Sequence, residues 1–380
     1  MSFRIHSTSS NTFKTGTIIY SQRQVRLSIA TASAVPRSSI GNVEGSKLDV
    51  SSIINGCWQL AGGHGSEVFQ GIESKLEAHA RAGFTTFDTA DIYGKSEAIL
   101  GDFSAQWREK GNKPVEILTK YVPNIFQSKT TPANIEAAVR KSMRNLKTDC
   151  LDSVQMHWWD YSIPGMEDAA KSLADLQAKG LIKQIACTNM DSAALARIVD
   201  AGVPIASNQV QFSLLDRRPL NGMIQYCETK GIKLISYGSV AGGLLSDKHV
   251  VVKPKEGGMF NLGRARYPTV DLNTSSLKMY WNTIQKFGGQ ELWRELLVAL
   301  SEVASRHNVS VSNVALRWVM QQGNGDTVRP LVGLRGVEHI EDNERSFSFS
   351  LSNVDMAKID EVLSRSTGPK GDVYSFERGE

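Results

Sequence analysis

Short apolar runs alternate with helix-like stretches along most of this chain, and this alternation limits the possible folds more than any other feature. Strand-like runs are predicted at residues 51–57, 83–88, 115–120, 151–157, 182–187, 206–211, 233–237 and 328–332. Because a segment with helical periodicity follows nearly every run, each strand returns parallel to its predecessor. Eight such units predict an α/β chain closed into a (β/α)8 TIM barrel. No G-x-G-x-x-G follows any strand, which argues against the rival fold, an open doubly wound sheet.

The helices are predicted at residues 72–80, 96–110, 132–146, 166–179, 192–201, 220–230, 291–307, 312–322, 338–345 and 355–364. One long interruption, at residues 238–290, contains a Gly- and Pro-rich loop at residues 253–258 and one extra helix. The apolar face of that helix is predicted to consist of Leu277, Trp281, Ile284 and Phe287. The barrel domain is expected at residues 44–366, between a leader at residues 1–43 and a tail at residues 367–380.

Four polar residues lie at or just beyond predicted strand ends. Asp88, Lys120 and His157 each end a strand, and Tyr93 follows Asp88 in the next loop. In such barrels the chemistry takes place beyond the C-terminal ends of the strands. A neighbouring ammonium lowers the pKa of a phenol from its reference value of about 10, so the set suits protonation of a carbonyl oxygen. Two alternatives stay open: a structural ion pair between Asp88 and Lys120, and a satisfied core histidine at position 157.

Residues 1–43 have an unusual charge composition. They contain no acidic residue but five of the basic ones, which leaves 38 basic and 39 acidic side chains in the remainder of a chain whose net charge is +4. The near-neutral remainder argues against nucleic-acid binding. A Ser-rich, Arg-containing leader without a compact apolar region is typical of an organelle transit peptide, with a plastid favoured over a mitochondrion. A disordered tail on a cytoplasmic protein is the alternative.

The cysteines and histidines predict neither a disulfide framework nor a metal site. Cys57, Cys150, Cys187 and Cys227 are far apart and form no C-x-x-C pair, and the seven histidines do not cluster at ligand spacing. We therefore expect reduced thiols and no bound metal. No apolar run approaches 18 residues, so we expect no membrane-spanning segment and no membrane partner.

Seven motifs occur between residues 48 and 365 in an order that resembles the aldo-keto reductase superfamily. They are Gly56-Cys57-Trp58; Gly83-Phe84 with Asp88-Thr89-Ala90, Tyr93-Gly94, Glu97 and Gly101; Ile117-Leu118-Thr119-Lys120; Leu151-Asp152 with His157-Trp158; Thr188-Asn189; Asn208-Gln209; and Ser236-Tyr237-Gly238. Each motif alone is weak evidence. Their order makes the resemblance specific.

The resemblance implies NADPH-dependent reduction of an aldehyde or ketone to an alcohol. Tyr93 would be the general acid, Lys120 would lower its pKa, Asp88 would orient Lys120, and His157 would position the carbonyl group. The resemblance also implies that Thr188, Asn189 and Gln209 bind the nicotinamide amide, that its ring stacks on Tyr237, and that Gly238 and Ser239 contact the cofactor.

Two stretches depart from the family pattern. Trp159 replaces the proline that often follows His-Trp, which predicts a reshaped pocket wall formed by Trp58, Trp158 and Trp159; plain core packing of these indoles is the alternative. The family's Lys-Ser-x-x-x-x-Arg segment for the 2′-phosphate is also missing. The matching stretch offers Arg335 and His339 for the phosphate and Asp342 and Asn343 for the adenine.

Two other functions are compatible with the same pattern. The first is a cofactor-binding regulatory subunit resembling the potassium-channel β subunits of this superfamily, and the second is a barrel lyase or isomerase that needs no nicotinamide. The expected partner is a small-molecule carbonyl compound. Neither its identity nor the oligomeric state follows from the sequence, because variable loops form the pocket.

The Arg335 assignment predicts a selective loss of NADPH use. Arg335→Ala is expected to raise the KM for NADPH roughly tenfold, equivalent to about 1.4 kcal/mol, with little change in the KM for NADH. The reason is that a forked guanidinium matches the 2′-phosphate that NADH lacks. Steady-state kinetics with both cofactors measure this. Equal weakening of both would show that Arg335 is structural.

Overall fold

The computed structural model describes residues 35–41, 47–62, 69–124, 130–250, 269–334 and 336–378. A two-stranded antiparallel hairpin precedes a closed barrel of eight parallel strands, which confirms the predicted (β/α)8 barrel. The hairpin contains β1 (Arg37–Ile40) and β2 (Leu48–Ser51). The barrel contains β3 (Ile54–Gly56), β4 (Thr86–Asp88), β5 (Glu116–Tyr121), β6 (Leu151–His157), β7 (Ile182–Thr188), β8 (Ile205–Gln211), β9 (Lys233–Tyr237) and β10 (Val328–Gly333).

Helices surround the barrel, and most of them bury an apolar face. They are α1 (Ile72–Arg81), α2 (Ser96–Glu109), α3 (Pro132–Leu146), α4 (Met166–Ala178), α5 (Ser192–Asp200), α6 (Met223–Lys230), α7 (Ser275–Phe287), α8 (Gly289–His307), α9 (Val311–Met320), α10 (Ile340–Arg345), α11 (Asn353–Leu363) and α12 (Ser375–Arg378). Local sequence sets several starts. The side chain of Thr131 accepts the backbone N–H of Asn134, with Pro132 in the first turn, as expected of a helix N-terminus.

Parallel strands bring their C-terminal ends to one rim. β4 ends at Asp88, β6 at His157, β7 at Thr188 and β9 at Tyr237. The register pairs His157 with Thr188 across β6 and β7. Residues that are distant in sequence therefore meet at one mouth of the barrel.

The hairpin closes the opposite end of the barrel, where the strands begin. Ile40, Leu48 and Val50 pack on the inward side chains of Leu118 and Ile235. Part of the predicted leader thus belongs to the compact unit, which spans residues 34–380. This corrects the predicted domain start at residue 44. Residues 1–34 and 42–46 of the region lie outside the described residues.

The first predicted strand, at residues 51–57, is two strands in the structure. β2 ends at Ser51 in the antiparallel hairpin, and β3 begins at Ile54 in the parallel barrel. Ser52 and Ile53 form the bend between them. A single apolar run could not reveal this change of partner, because both strands bury their side chains.

The extra helix of the long interruption is present as α7, but its buried face differs from the predicted one. Ile284 and Phe287 are buried as expected, whereas Tyr280 and Thr283 are also buried and face the barrel. Thr283 lies on the buried face for a polar reason, because the Gln211 side-chain amide donates a hydrogen bond to Thr283 Oγ1 at 3.0 Å. Leu277 and Trp281 are only partly buried. The Gly- and Pro-rich loop at residues 253–258 lies outside the described residues.

The predicted C-terminal tail forms part of the folded domain. Val373 is buried, and α12 follows it. Arg218, which is 1% exposed, forms ion pairs with Asp216 at 2.7 Å and with Glu377 of α12 at 2.9 Å. The described part of the predicted tail, residues 367–378, therefore packs on the domain, where both carboxylates compensate the buried guanidinium of Arg218.

Truncation should separate the leader from the hairpin. A protein lacking residues 1–33 is expected to unfold at the same urea concentration as the full chain. Removing residues 1–43 should cost about 3–6 kcal/mol, because Val35 and Ile40 lose their burial at roughly 1.5–3 kcal/mol each. Urea unfolding followed by fluorescence measures both. Equal stability of the two truncated proteins would show that the hairpin is dispensable.

Candidate active site

A buried ion pair lies at the centre of the barrel mouth. Lys120 Nζ on β5 is 2.6 Å from Asp88 Oδ2 at the end of β4, and each side chain is 4% exposed. The ammonium also donates to the carbonyl oxygen of Thr89 at 2.8 Å. Asp88 Oδ1 accepts two further hydrogen bonds, from Gln155 and Gln209, each at 2.7 Å. The carboxylate is therefore well solvated by the protein itself.

Tyr93 lies next to this pair. Lys120 Nζ is 5.2 Å from the centroid of the Tyr93 ring. Burial raises the pKa of Tyr93 above its ordinary value, although the charge of Lys120 acts in the opposite direction. Burial also opposes the charge on Lys120, but Asp88 and Tyr93 outweigh it and the pKa of Lys120 is raised. Lys120 thus lowers the pKa of Tyr93 as expected, but burial outweighs this effect and the phenol holds its proton.

His157 ends β6 with its imidazole among aromatic rings. The ring centroid is 4.1 Å from that of Trp159 and 5.6 Å from that of Tyr374. Burial lowers the pKa of His157 to about 3, with smaller contributions from Lys120 and Arg378. The imidazole is therefore neutral at physiological pH. Its Nε2 is buried without a hydrogen-bond partner among the described residues.

The ends of β7, β8 and β9 bring together a second set of the predicted residues. The Tyr237 hydroxyl donates to Asn189 Oδ1 at 3.0 Å, and the Asn189 N–H donates to the Gln209 carbonyl oxygen at 2.8 Å. Asn189 has φ 57, a left-handed conformation that few side chains adopt. The buried Thr188 Oγ1 has no partner in the described part of the chain.

These groups fit a planar aromatic carboxamide. Thr188 offers a hydroxyl, and Asn189 and Gln209 offer amides, while Tyr237 offers a ring beside them. Buried polar atoms are normally paired, so the unpartnered Thr188 Oγ1 and His157 Nε2 indicate that a ligand satisfies them. A nicotinamide group has the shape and the polar atoms that this set requires.

Gly238 and Ser239 lie in the turn after β9, and a different contact restricts each of them. Gly238 has φ 75, and a Cβ there would lie 2.7 Å from Tyr280 Cε1 on α7, so only glycine fits. Ser239 is 1% exposed, and its hydroxyl donates to the Ser236 carbonyl oxygen at 2.9 Å. Its side chain is therefore engaged in the turn, which leaves only backbone groups of Ser239 for a cofactor.

The residues predicted for the far end of the cofactor are less clearly assembled. Arg335 lies outside the described residues. His339 is exposed and lies 3.7 Å from a Glu338 carboxylate oxygen. Asp342 Oδ2 accepts the Ser310 hydroxyl at 2.9 Å, so this carboxylate joins α10 to the start of α9. Asn343 is on α10 beside it.

Two of the three tryptophans predicted for the pocket are near the mouth. Trp159 stacks on His157, and Trp58 is half-buried on the turn after β3. Trp158 is 1% exposed, and its indole N–H donates to the carbonyl oxygens of Asp160 and Ile163. Assigning Trp158 to the pocket wall is thus corrected: its side chain belongs to the core.

The C-terminal segment contributes residues that sequence analysis missed. Arg378 donates to Tyr161 Oη at 3.2 Å and to Asp191 Oδ2 at 3.1 Å. Its guanidinium is 4.3 Å from the centroid of the Tyr161 ring. Tyr374 contacts His157 from the same segment. No local pattern marks these residues, because their partners lie about two hundred positions earlier.

Gln155 was missed as well, although a signal for it exists. It lies two positions before His157 on β6, so strand alternation points both side chains to the barrel interior. Tyr280 on α7 was also missed, because its position in the loop-rich interruption gives no sign that it contacts Gly238.

The described residues contain no group of three or more His, Cys, Asp or Glu side chains that could hold a metal ion. In the same ranges of the chain, no helix is both long and apolar enough to cross a bilayer.

Comparisons with known proteins find one family model and several related proteins that match this chain. The model of the Aldo/keto reductase family matches residues 52–364. A pyridoxal reductase, chloroplastic, from Arabidopsis thaliana is 28% identical over 330 residues, which cover 82% of this chain and 83% of that protein. The aldo-keto reductase str7 from Strobilurus tenacellus is 24% identical over 301 residues, covering 77% and 81%.

Solved structures show the same fold. The glycerol dehydrogenase AKR11B4 from Gluconobacter oxydans has a TM-score of 0.68 at 23% identity, covering 89% of this chain and 98% of that one. An aldo/keto reductase from Klebsiella pneumoniae, in complex with NADP and acetate, has a TM-score of 0.60 at 21% identity, covering 86% and 95%.

Proposed function

The chain belongs to the aldo/keto reductase family, and from this premise we propose that it reduces a small aldehyde or ketone to an alcohol with NADPH as cofactor. The observation that carries the proposal is the assembly at one barrel mouth of Tyr93, the buried Asp88–Lys120 pair and a neutral His157, whose Nε2 has no hydrogen-bond partner among the described residues. This set can hold a carbonyl oxygen and protonate it.

Tyr93 is the proposed proton donor. Its raised pKa keeps the phenol protonated until negative charge develops on the substrate oxygen, which is a far stronger base than a phenolate. After transfer, the Lys120 ammonium stabilises the phenolate, and solvent returns the proton. A positioned general acid of this kind contributes about 10²–10⁴-fold to the rate.

The imidazole of His157 is the proposed carbonyl-positioning group. Because its pKa is about 3, it interacts through a neutral ring and not through charge. Trp159 and Tyr374 pack against the ring and fix its plane. Nε2 is then the atom available to hold the carbonyl oxygen next to the Tyr93 hydroxyl.

The cofactor site is proposed at the ends of β7 to β9. Thr188, Asn189 and Gln209 would hold the carboxamide, and Tyr237 would stack on the ring. Gly238, the Ser239 backbone and residues after β10, with Arg335 for the 2′-phosphate, would bind the rest. When bound, NADPH supplies the hydride. The choice of NADPH is supported by the aldo/keto reductase from Klebsiella pneumoniae, which was solved in complex with NADP.

An aromatic or apolar aldehyde is the proposed substrate class. Trp159 and Tyr374 give the mouth beside His157 an aromatic surface, and Trp58 lies in the turn after β3, which suits a flat apolar substrate. The name of the Arabidopsis relative, a pyridoxal reductase, is consistent with an aromatic aldehyde.

A panel of carbonyl compounds tests the function. The protein lacking residues 1–33 should oxidise NADPH in the presence of aromatic aldehydes such as pyridoxal or benzaldehyde, and convert them to alcohols. Tight NADPH binding with no turnover on any aldehyde or ketone would instead support the regulatory-subunit alternative. Turnover that does not depend on a nicotinamide would support a lyase or isomerase.

Removing the Tyr93 hydroxyl should stop proton donation without emptying the cofactor site. Tyr93→Phe is expected to lower kcat by roughly 10²-fold or more, since the general-acid contribution is lost. The Kd for NADPH, measured by fluorescence, should change little. Tyr226→Phe on the outer helix α6 is the matched control and should leave both values unchanged. Near-normal turnover by Tyr93→Phe would exclude this residue as the acid.

We propose a plastid location, on the basis of the acid-free, Ser-rich leader and the chloroplastic relative. A fluorescent reporter that carries residues 1–43 should be imported into chloroplasts of plant cells. Import into mitochondria, or a diffuse cytoplasmic signal, would contradict the proposal.

A further inference from the structure

Four buried side chains form a continuous hydrogen-bonded chain across the barrel interior, directly beneath the mouth. Lys120 Nζ donates to Asp88 Oδ2 at 2.6 Å. Gln155 Nε2 and Gln209 Nε2 both donate to Asp88 Oδ1 at 2.7 Å. Gln209 Nε2 also donates to Gln155 Oε1 at 2.9 Å. Gln155 is fully buried, and Gln209 is 4% exposed.

The negative charge of Asp88 fixes the orientation of both amides. A carboxylate only accepts hydrogen bonds, so each glutamine must present its NH₂ group to it. Turning either amide over would place a carbonyl oxygen against the carboxylate in a buried, low-dielectric site. The orientation therefore follows from chemistry and not from a choice between two similar atoms.

Gln155 determines which polar atom of the Gln209 amide remains available to a ligand. One N–H of Gln209 is bound by Asp88 and the other by Gln155 Oε1. The remaining polar atom, Gln209 Oε1, accepts no hydrogen bond within the described ranges. Gln209 is paired in register with Thr188, beside the proposed carboxamide site. Towards that site Gln209 is therefore an acceptor only.

We propose that Gln155 is a positioning residue that holds Gln209 as an acceptor-only contact, so that the site selects a cofactor with an N–H donor on the nicotinamide carboxamide. The inference rests on the proposed function. Gln155 acts through Gln209 and Asp88, and it joins the carboxamide contact to the same carboxylate that pairs with Lys120 beneath Tyr93.

An acceptor without a donor is costly in a buried site. A ligand that has a ketone in place of the amide leaves Gln209 Oε1 unpaired. The loss of binding free energy is then larger than for a hydrogen bond lost in water. The 3-acetylpyridine analogue of NADP⁺ is such a ligand, because a methyl ketone replaces its carboxamide. Wild-type protein should bind NADP⁺ at least tenfold more tightly than this analogue.

Gln155→Met keeps the length of the side chain and removes both of its hydrogen bonds. One N–H of Gln209 is then free to turn towards the mouth and donate to a ketone. We expect the Kd for NADP⁺ to rise roughly tenfold, about 1.4 kcal/mol. The ratio of the two Kd values should fall towards one. Quenching of tryptophan fluorescence measures both constants without turnover.

Gln184→Met is the matched control. Gln184 is also fully buried and also lies in the barrel, at the end where a Cβ on Gly41 of the hairpin would lie 2.6 Å from its amide. The same chemical change there should lower the unfolding temperature by a similar amount. The Kd ratio should stay at its wild-type value.

The outcomes separate this inference from the proposed function. A ratio that falls in Gln155→Met and not in Gln184→Met supports it. An unchanged ratio in folded Gln155→Met, or an equal fall in both variants, overturns it while reduction of aldehydes by the wild type stands. If Gln155→Met does not fold, wild-type binding decides, because equal affinity for NADP⁺ and the analogue overturns the inference without any variant. Wild-type protein that binds no dinucleotide overturns both.

Discussion

A lysine ammonium and an aspartate carboxylate lie 2.6 Å apart inside the barrel, and most of the mouth is arranged around them. Removing two charges from water costs several kcal/mol for each ion, so a buried pair persists only where further hydrogen bonds compensate. Here Thr89, Gln155 and Gln209 provide them. The polar interior is therefore a requirement of the charge pair, and the glutamines of β6 and β8 are part of its solvation.

Burial and the pair together set the protonation of the neighbouring residues. Asp88 and Tyr93 keep Lys120 charged in spite of burial, and the pKa values of both Lys120 and Tyr93 are raised. The same positive charge, added to burial, keeps His157 neutral. The Tyr93 phenol is thus protonated, whereas the His157 imidazole is neutral. Under the proposed function, proton donation and carbonyl positioning belong to two residues whose pKa values are shifted in opposite directions.

The sequence predicted those features that depend on short-range patterns. Strand and helix alternation gave the barrel, and the rule that strand ends share a mouth brought Asp88, Lys120 and His157 together. Contacts across long separations could not be predicted in this way. Ile40 was assigned to the leader because composition does not reveal pairing with β2, and Trp158 was assigned to the pocket because adjacency to His157 does not fix direction.

The C-terminal segment shows why the substrate pocket is harder to predict than the reaction chemistry. Tyr374 contacts His157 from a segment that is also held by the ion pairs of Arg218 with Glu377 and of Asp191 with Arg378. Each of these ion pairs joins residues more than 150 positions apart, and none of these residues hydrogen-bonds to Asp88. The aromatic wall of the mouth can thus change independently of the Asp88–Lys120 pair beneath it. Because different contacts hold the polar interior and the aromatic wall, the wall can vary with the carbonyl substrate while the reaction stays the same.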